Sequence, residues 1–373
     1  MQASQTLDPV VEPADIARAR ASLDDMLKAL VDVHGSDLHL TVGAPPTVRV
    51  DGRLYALPDY DRLTRLESAM LVRAAADDEQ WRQFERTHEL DVAYSIERVS
   101  RFRGNLYMQR GSYGAVFRAI PHEVKPLAEL GVPESVSRFA HLPRGLVLVT
   151  GPTGSGKTTT LASLLDLANR TRSGHIITIE DPIEFLHPHK SCIVNQREVG
   201  ADTTSFSSAL KHALRQDPDV ILVGELRDLE TTATALAAAE TGHLVLATMH
   251  TQSAAQTIDR IIDIFPPHQQ PQIRAQLSTA LQGVVTQALC PRADGAGRAV
   301  ITEIMFVTPA IRNLIREGKN HQIPSFMQSG SSDGMLSFDQ HLAERVRAGI
   351  ITFEHALELC HSAEDLKRLA RRM

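Results

Sequence analysis

The sequence predicts an α/β protein: a small α+β unit first, then a doubly wound, mostly parallel nucleotide-binding core, then a short helical tail. Three observations carry this reading. From residue 144 to about 305, apolar runs suited to buried strands (145–150, 175–180, 219–223 and 243–248) alternate with stretches of helical pattern. The first run leads directly into TGPTGSGKTTT at 150–160, and LASLLDLANR after it is competent to form a helix. Before residue 120 the grammar differs, with short alternating apolar and polar segments broken by turn residues.

Taken in order, residues 1–13 are polar with two prolines and read as a loose tail. Helical periodicity starts near Asp15 and places Met26, Leu27, Leu30 and Val31 on one face. LHLTVGAPPTVRVDGRLY then reads as hairpin strands, residues 64–86 as a helical stretch, and DVAYSI, RFRGNLYMQ and AVFRAIP as further strands. This first unit spans 14–120. Pro121, Pro126, Pro133 and Pro143 mark 121–143 as a linker with a short helix. The core follows over 144–305, and amphipathic helices form a C-terminal subdomain over 306–373.

Composition bounds the function. The chain has 373 residues, 43% hydrophobic and 23% charged, which fits a globular protein of two to three domains. A net charge of −6 and an aromatic content of 5% argue against a nucleic-acid partner. The three cysteines, Cys192, Cys290 and Cys360, form neither a disulfide framework nor a C-x-x-C zinc pattern, and suit a reducing cytosol. The N-terminus lacks the basic-then-apolar order of a signal peptide, and no apolar run approaches the roughly 20 residues of a membrane span. The expectation is a soluble, cytoplasmic protein.

The chemistry begins at G-x-x-x-x-G-K-T over 151–158. Gly151, Gly154 and Gly156, with Pro152, Thr153 and Ser155 between them, let successive N–H groups face one concavity ahead of a helix N-terminus, which favours phosphate. Lys157 would reach the β- and γ-phosphates of ATP, the Thr158 hydroxyl would ligate Mg²⁺, and Thr159 continues the motif into the helix. HIITIE ends in Glu180 and Asp181, with Glu184 close behind. These acids could hold Mg²⁺ or orient a water, or they could cap a helix in a solvated turn. DPDVILVGE places Gly224 where P-loop enzymes carry a metal-binding aspartate, so Glu225 becomes a candidate to polarise water. His243 and His250 bracket HLVLAT and read as γ-phosphate sensors, against the plainer reading of surface histidines. His175, His187 and His189 show no metal-ligand pattern. Arg101, Arg103, Arg110 and Arg118 crowd the end of the first unit, either as a solvated strand face or as arginines reaching a phosphate across a boundary.

Together these elements resemble, in order and over nearly the whole chain, the secretion-type AAA+ ATPases that drive type IV pili and type II secretion. GPTGSGKTTT resembles the family's phosphate loop, TIEDPIEF its Asp box, ILVGELRD its second motif with glycine for aspartate, and TGHLVLATMHT its His box. The first 120 residues, including SDLHL and the VDG turn, resemble the family's PAS-like domain, and the core its RecA-like ATPase domain. The paired C-x-x-C zinc ligands usual in the assembly and secretion members are absent from the sequence. AIRNLIREG at 310–318, EIM before it, and HQI and 335–339 after it resemble the retraction branch.

The resemblance implies a homohexameric, ATP- and Mg²⁺-dependent motor for pilus retraction and twitching motility. It would work at the cytoplasmic face of the inner membrane against a pilus platform protein, with an accessory retraction ATPase as a further partner. It associates Glu184 and Glu225 with hydrolysis, His243 and His250 with sensing, and Arg103 and Arg118 with the phosphates. Alternatives are an accessory retraction paralogue, an assembly ATPase, a regulatory scaffold with little turnover, or a nucleic-acid motor sharing the same core.

Overall fold

The computed structural model describes residues 13–50, 52–120, 123–330 and 333–371. The expected tail lies outside these, apart from Pro13. The chain divides into two compact units, Met1–His122 and Glu123–Met373.

In the first unit, helix α1 (Pro13–Asp32) precedes β1 (Asp37–Leu40), β2 (Thr47–Val50) and β3 (Arg53–Ala56). Helices α2 (Arg65–Ala74) and α3 (Asp78–Thr87) and strands β4 (Glu89–Ile96), β5 (Ser100–Gln109) and β6 (Ser112–Ile120) complete it. The sequence suggests one helix over 64–86, but the structure breaks it. Asp77 accepts from the Glu79 and Gln80 N–H groups, and Gln80 returns a bond to the Asp77 N–H, forming a capping box that starts a second helix. The six strands form an antiparallel sheet in the order β3-β2-β1-β6-β5-β4. Period-2 alternation sends Leu38, Leu40, Phe102, Leu106 and Phe117 to one face, where they pack with Leu23, Leu27 and Leu30 of α1 and with Val72 and Phe84. The other face carries polar residues, Arg49, Asp37, Arg118 and Arg103 among them.

The second unit holds a seven-stranded sheet in the order β13-β12-β7-β11-β10-β8-β9. Its centre is parallel: β7 (Gly145–Thr150), β11 (Leu244–Met249), β10 (Val220–Val223) and β8 (Gly174–Glu180). All six residues of β7 and of β11 are buried, as a sheet covered on both faces requires. The sequence analysis anticipates these four strands. It does not anticipate β9 (Cys192–Glu198); the antiparallel pair β12 (Leu281–Pro291) and β13 (Arg298–Phe306) is joined through 292–297, where RADGAGR at 292–298 reads as a hairpin loop. The covering helices include α4 (Lys157–Thr171), α5 (Phe206–Ala213), α6 (Leu229–Glu240), α7 (Ala254–Asp263) and α8 (Gln270–Ala280).

Two boundaries differ from those expected. Residues 123–143 are no free linker but part of this unit. Val136, Phe139 and Ala140 are buried among core residues of β7, α4 and β12. The Phe139 ring stacks on Phe306 with centroids 4.7 Å apart, and it occupies the space above Gly283, where a Cβ would lie 2.3 Å from it. Arg138 lies over the same Phe306 ring and donates to the Asp333 carbonyl at 2.6 Å. The helices after 306 fall in the same compact unit, those over 338–371 packing in a cluster of their own against Cys290, Ala299 and Ile301.

Among them, α9 (Pro309–Glu317) carries AIRNLIRE between the N-cap Thr308 and the left-handed Gly318. Ile311, Leu314 and Ile315 are buried in the main core, as the i, i+3, i+4 spacing predicts. Asn313 and Arg316 are exposed and bonded to each other at 2.6 Å, and Arg312 is half-buried. Leu314→Ala is therefore expected to lower unfolding stability by about 2–5 kcal/mol. A denaturant midpoint unchanged from the parent protein would contradict this packing.

Candidate active site

The site lies at the carboxyl ends of the parallel strands. β7 ends at Thr150 and opens into the loop 151–156, and the next residue begins α4. Gly151 has φ +140°, and a Cβ there would meet the Gln287 carbonyl at 2.2 Å, so only glycine lets the loop pass β12. Gly154 and Gly156 also have positive φ, and the space about Gly154 is open. Gln287 Nε2 donates to the Ser155 carbonyl at 2.7 Å and braces the loop from the neighbouring strand. The Ser155 hydroxyl is buried without a protein partner, and the loop opens onto the N-terminus of α4. A cradle of glycine backbone at a helix N-terminus, with a buried lysine beside it, fits a triphosphate.

The Lys157 Nζ donates to the Gly151 carbonyl at 2.8 Å and the Pro152 carbonyl at 3.0 Å. Burial pushes its pKa down, while the negative charges of Glu225 and Glu184 act in the opposite direction. Both carboxylates and Lys157 line one cleft of about 310 Å³ with Thr153, Thr158, Asp181 and His250. Thr159 lies on the first turn of α4, half-buried.

The acids have distinct supports. Burial raises the Glu180 pKa, opposed by hydrogen bonds from Thr178 Oγ1 at 2.6 Å and Gln196 Nε2 at 3.0 Å. The Glu184 backbone N–H acts on it in the same lowering direction. Asp181 and Glu184 are exposed. At β10, Gly224 has the Phe206 ring and the Ile179 carbonyl 3.3 Å from where a Cβ would stand, which leaves little room for the aspartate common in P-loop enzymes. Glu225 next to it receives Arg227 Nε at 2.5 Å and lies 3.3 Å from His250 Nε2. Among the described residues no group of three His, Cys, Asp or Glu could hold a metal alone. Any Mg²⁺ would therefore draw its ligands from Thr158, a carboxylate of Glu180 or Asp181, and the phosphates themselves, which is how this ion is usually bound with nucleotides.

The histidine pair separates. His250 follows β11 and enters the cleft. His243 precedes that strand, accepts the Gly145 N–H on its carbonyl at 2.9 Å, and donates its Nδ1–H to the Ala238 carbonyl at 3.0 Å. Six residues of extended chain lie between them, about 20 Å at strand rise. The structure thus takes His243 to the opposite end of β11 from the phosphate loop, and of the two histidines only His250 lines the cleft. Arg103 and Arg118 belong to the first unit, directly opposite each other on β5 and β6. Gln287, Gln196 and Arg227 are supports that the sequence analysis misses. A glutamine inside the apolar LQGVVTQALC is the one signal that pointed toward the first of them.

A glycine phosphate loop between a buried parallel strand and a helix, facing two carboxylates and a histidine on neighbouring strand ends, defines a P-loop nucleoside triphosphatase. Comparison with known proteins narrows this. The chain belongs to the type II/IV secretion system protein family, whose model matches residues 112–358. It is 52% identical over 330 residues to the type IV pilus retraction ATPase PilT of Pseudomonas aeruginosa, covering 88% of this chain and 95% of that one. It is 42% identical over 348 residues to the type IV pilus ATPase PilU of the same organism, covering 93% and 91%. The crystal structure of the pilus retraction motor PilT with bound ADP superposes with a TM-score of 0.84 at 48% identity, covering 92% of this chain and 98% of that one.

Proposed function

We propose that this chain is the ATP-hydrolysing subunit of a homohexameric motor that retracts type IV pili. The reading places it at the cytoplasmic face of the inner membrane, against a pilus platform protein. The observation that carries it is the placing of Glu225, Glu184 and Lys157 on one cleft at the phosphate loop, in a chain this similar to a retraction ATPase. No helix among the described residues is long and apolar enough to cross a membrane, which is compatible with a peripheral position. The higher identity to PilT than to PilU favours the principal over the accessory retraction role.

In this mechanism the backbone N–H groups of 151–156 and the Lys157 Nζ hold the β- and γ-phosphates of ATP. Lys157 exchanges its two carbonyl partners for phosphate oxygens. Thr158 with Glu180 or Asp181 would hold Mg²⁺, which when bound neutralises charge on the phosphate oxygens. Glu225, fixed by Arg227 and His250, takes the position of the group that polarises the attacking water, and Glu184 orients it. His250 reports the γ-phosphate through its bond to Glu225. Arg103 and Arg118 supply positive charge to the phosphates in this reading. No role for nucleic acid enters the proposal.

Deleting the gene in its host tests the cellular role. The expected result is cells that keep surface pili but lose twitching and pilus shortening, restored by the intact gene. Bald cells would reassign the chain to pilus assembly.

A further inference from the structure

The loop between β8 and β9, residues 181–191, carries Glu184. That side chain lines the cleft, yet it is exposed and its carboxylate makes no hydrogen bond among the described residues. Its place therefore depends on the backbone at either side, and β9 holds both sides. The Glu198 carboxylate accepts the Ile183 N–H at 3.0 Å. Gln196 Nε2 donates to the Phe185 carbonyl at 2.9 Å and to Glu180 Oε1 at 3.0 Å, while Gln196 Oε1 accepts the His187 N–H at 2.8 Å. Both N–H donors and the oxygen of one carboxamide are committed to three residues around Glu184.

We propose that Gln196 is a positioning residue for Glu184: its carboxamide ties the loop to the end of β8 and so sets where the Glu184 carboxylate stands in the cleft. This deepens the reading that Glu184 orients the attacking water, and rests on it.

The geometry argues for positioning over plain stabilisation. Strand register sets Gln196 beside Thr178, and the Thr178 hydroxyl donates to the same Glu180 Oε1 at 2.6 Å. The anchor is thus a buried group on a strand of the sheet, and what it holds is an irregular loop. The ladder between β8 and β9 runs through backbone groups and has no need of the carboxamide. What the carboxamide adds is the course of the loop. Only an amide of this length brings two donors and an acceptor to these three groups. A glutamate offers no donor when ionised, a lysine no acceptor, and an asparagine falls one methylene short. The phosphate loop has its own brace in Gln287, so ATP affinity is independent of Gln196.

The test uses the full chain with saturating ATP and Mg²⁺, and measures kcat, KM, assembly state and thermal unfolding for each variant. Single-turnover hydrolysis reads the slow ones. Gln196→Met, similar in length but unable to make any of the three bonds, is expected to assemble and to keep KM within about twofold. Its kcat should fall about 10–10²-fold, the cost of displacing an orienting group by about 1 Å. Glu184→Ala should be at least as slow. The deciding measurement is the double variant: with Glu184 already removed, Gln196→Met should cost kcat nothing further. Should Gln196→Met fail to fold, Gln196→Asn takes its place in the cycle, with the same losses expected. A full additional loss in the Glu184→Ala background would show that Gln196 acts through another group and overturn the proposal. Parental kcat in the folded Gln196 variant, with Glu184→Ala impaired, overturns the positioning role alone. Parental kcat in Glu184→Ala overturns the role of Glu184 at the water, and the proposal with it.

Discussion

Lys157→Ala should bring phosphate release down to background while the protein still folds and assembles. The ammonium is the cation the phosphate loop itself supplies, and it is buried between the Gly151 and Pro152 carbonyls with two carboxylates nearby. Without it, the γ-phosphate of ATP would meet Glu184 and Glu225 with their repulsion uncompensated. Binding and transition-state stabilisation should therefore fail together. The fold should persist because the positive φ angles of Gly151, Gly154 and Gly156 and the Gln287 brace still shape the loop once its two bonds from the lysine side chain are lost. Phosphate release and thermal unfolding on the same preparation check both halves. Turnover near that of the parent protein would remove the basis for reading this cleft as the active site.

The second large effect concerns Glu225. Glu225→Gln keeps the side chain's shape and removes its basicity, so ATP should still bind while turnover falls by about 10²–10⁴-fold. The residue is mostly shielded and fixed from two sides by Arg227 and His250, whereas Glu184 is exposed. A fixed, shielded carboxylate suits the task of aligning a water better than a mobile one. Nucleotide binding and single-turnover hydrolysis in Glu225→Gln and Glu184→Gln separate the two roles. Normal turnover in Glu225→Gln with failure in Glu184→Gln would transfer the general-base role to Glu184.

The parts of the site written in consecutive residues were legible, and those assembled across strands were not. The phosphate loop needs only its own glycines and the helix after it, so 150–160 could be read complete. Glu180, Glu184, Glu225 and His250 followed once the strands were placed, because parallel order puts each strand's end on one edge. The same logic applied to His243 would have excluded it, since that residue comes before its strand. Gln287 was hidden because its function lies in pairing of β12 with β7, a contact 132 residues apart in the chain for the Ser155 carbonyl. In the 121–143 segment, four prolines outweighed Val136, Phe139 and Ala140, whose burial depends on a sheet formed later in the sequence.

That segment bears on how the ATPase unit can be isolated. A fragment begun at Arg144, where strand–helix alternation starts, would lack Phe139 and Val136. The slot over Gly283 and one face of the Phe306 ring would then be bared to water. Such a protein would carry an adhesive apolar groove alongside an intact phosphate loop, and its poor solubility could be mistaken for a property of the motor. A fragment begun at Glu123 keeps its own plug.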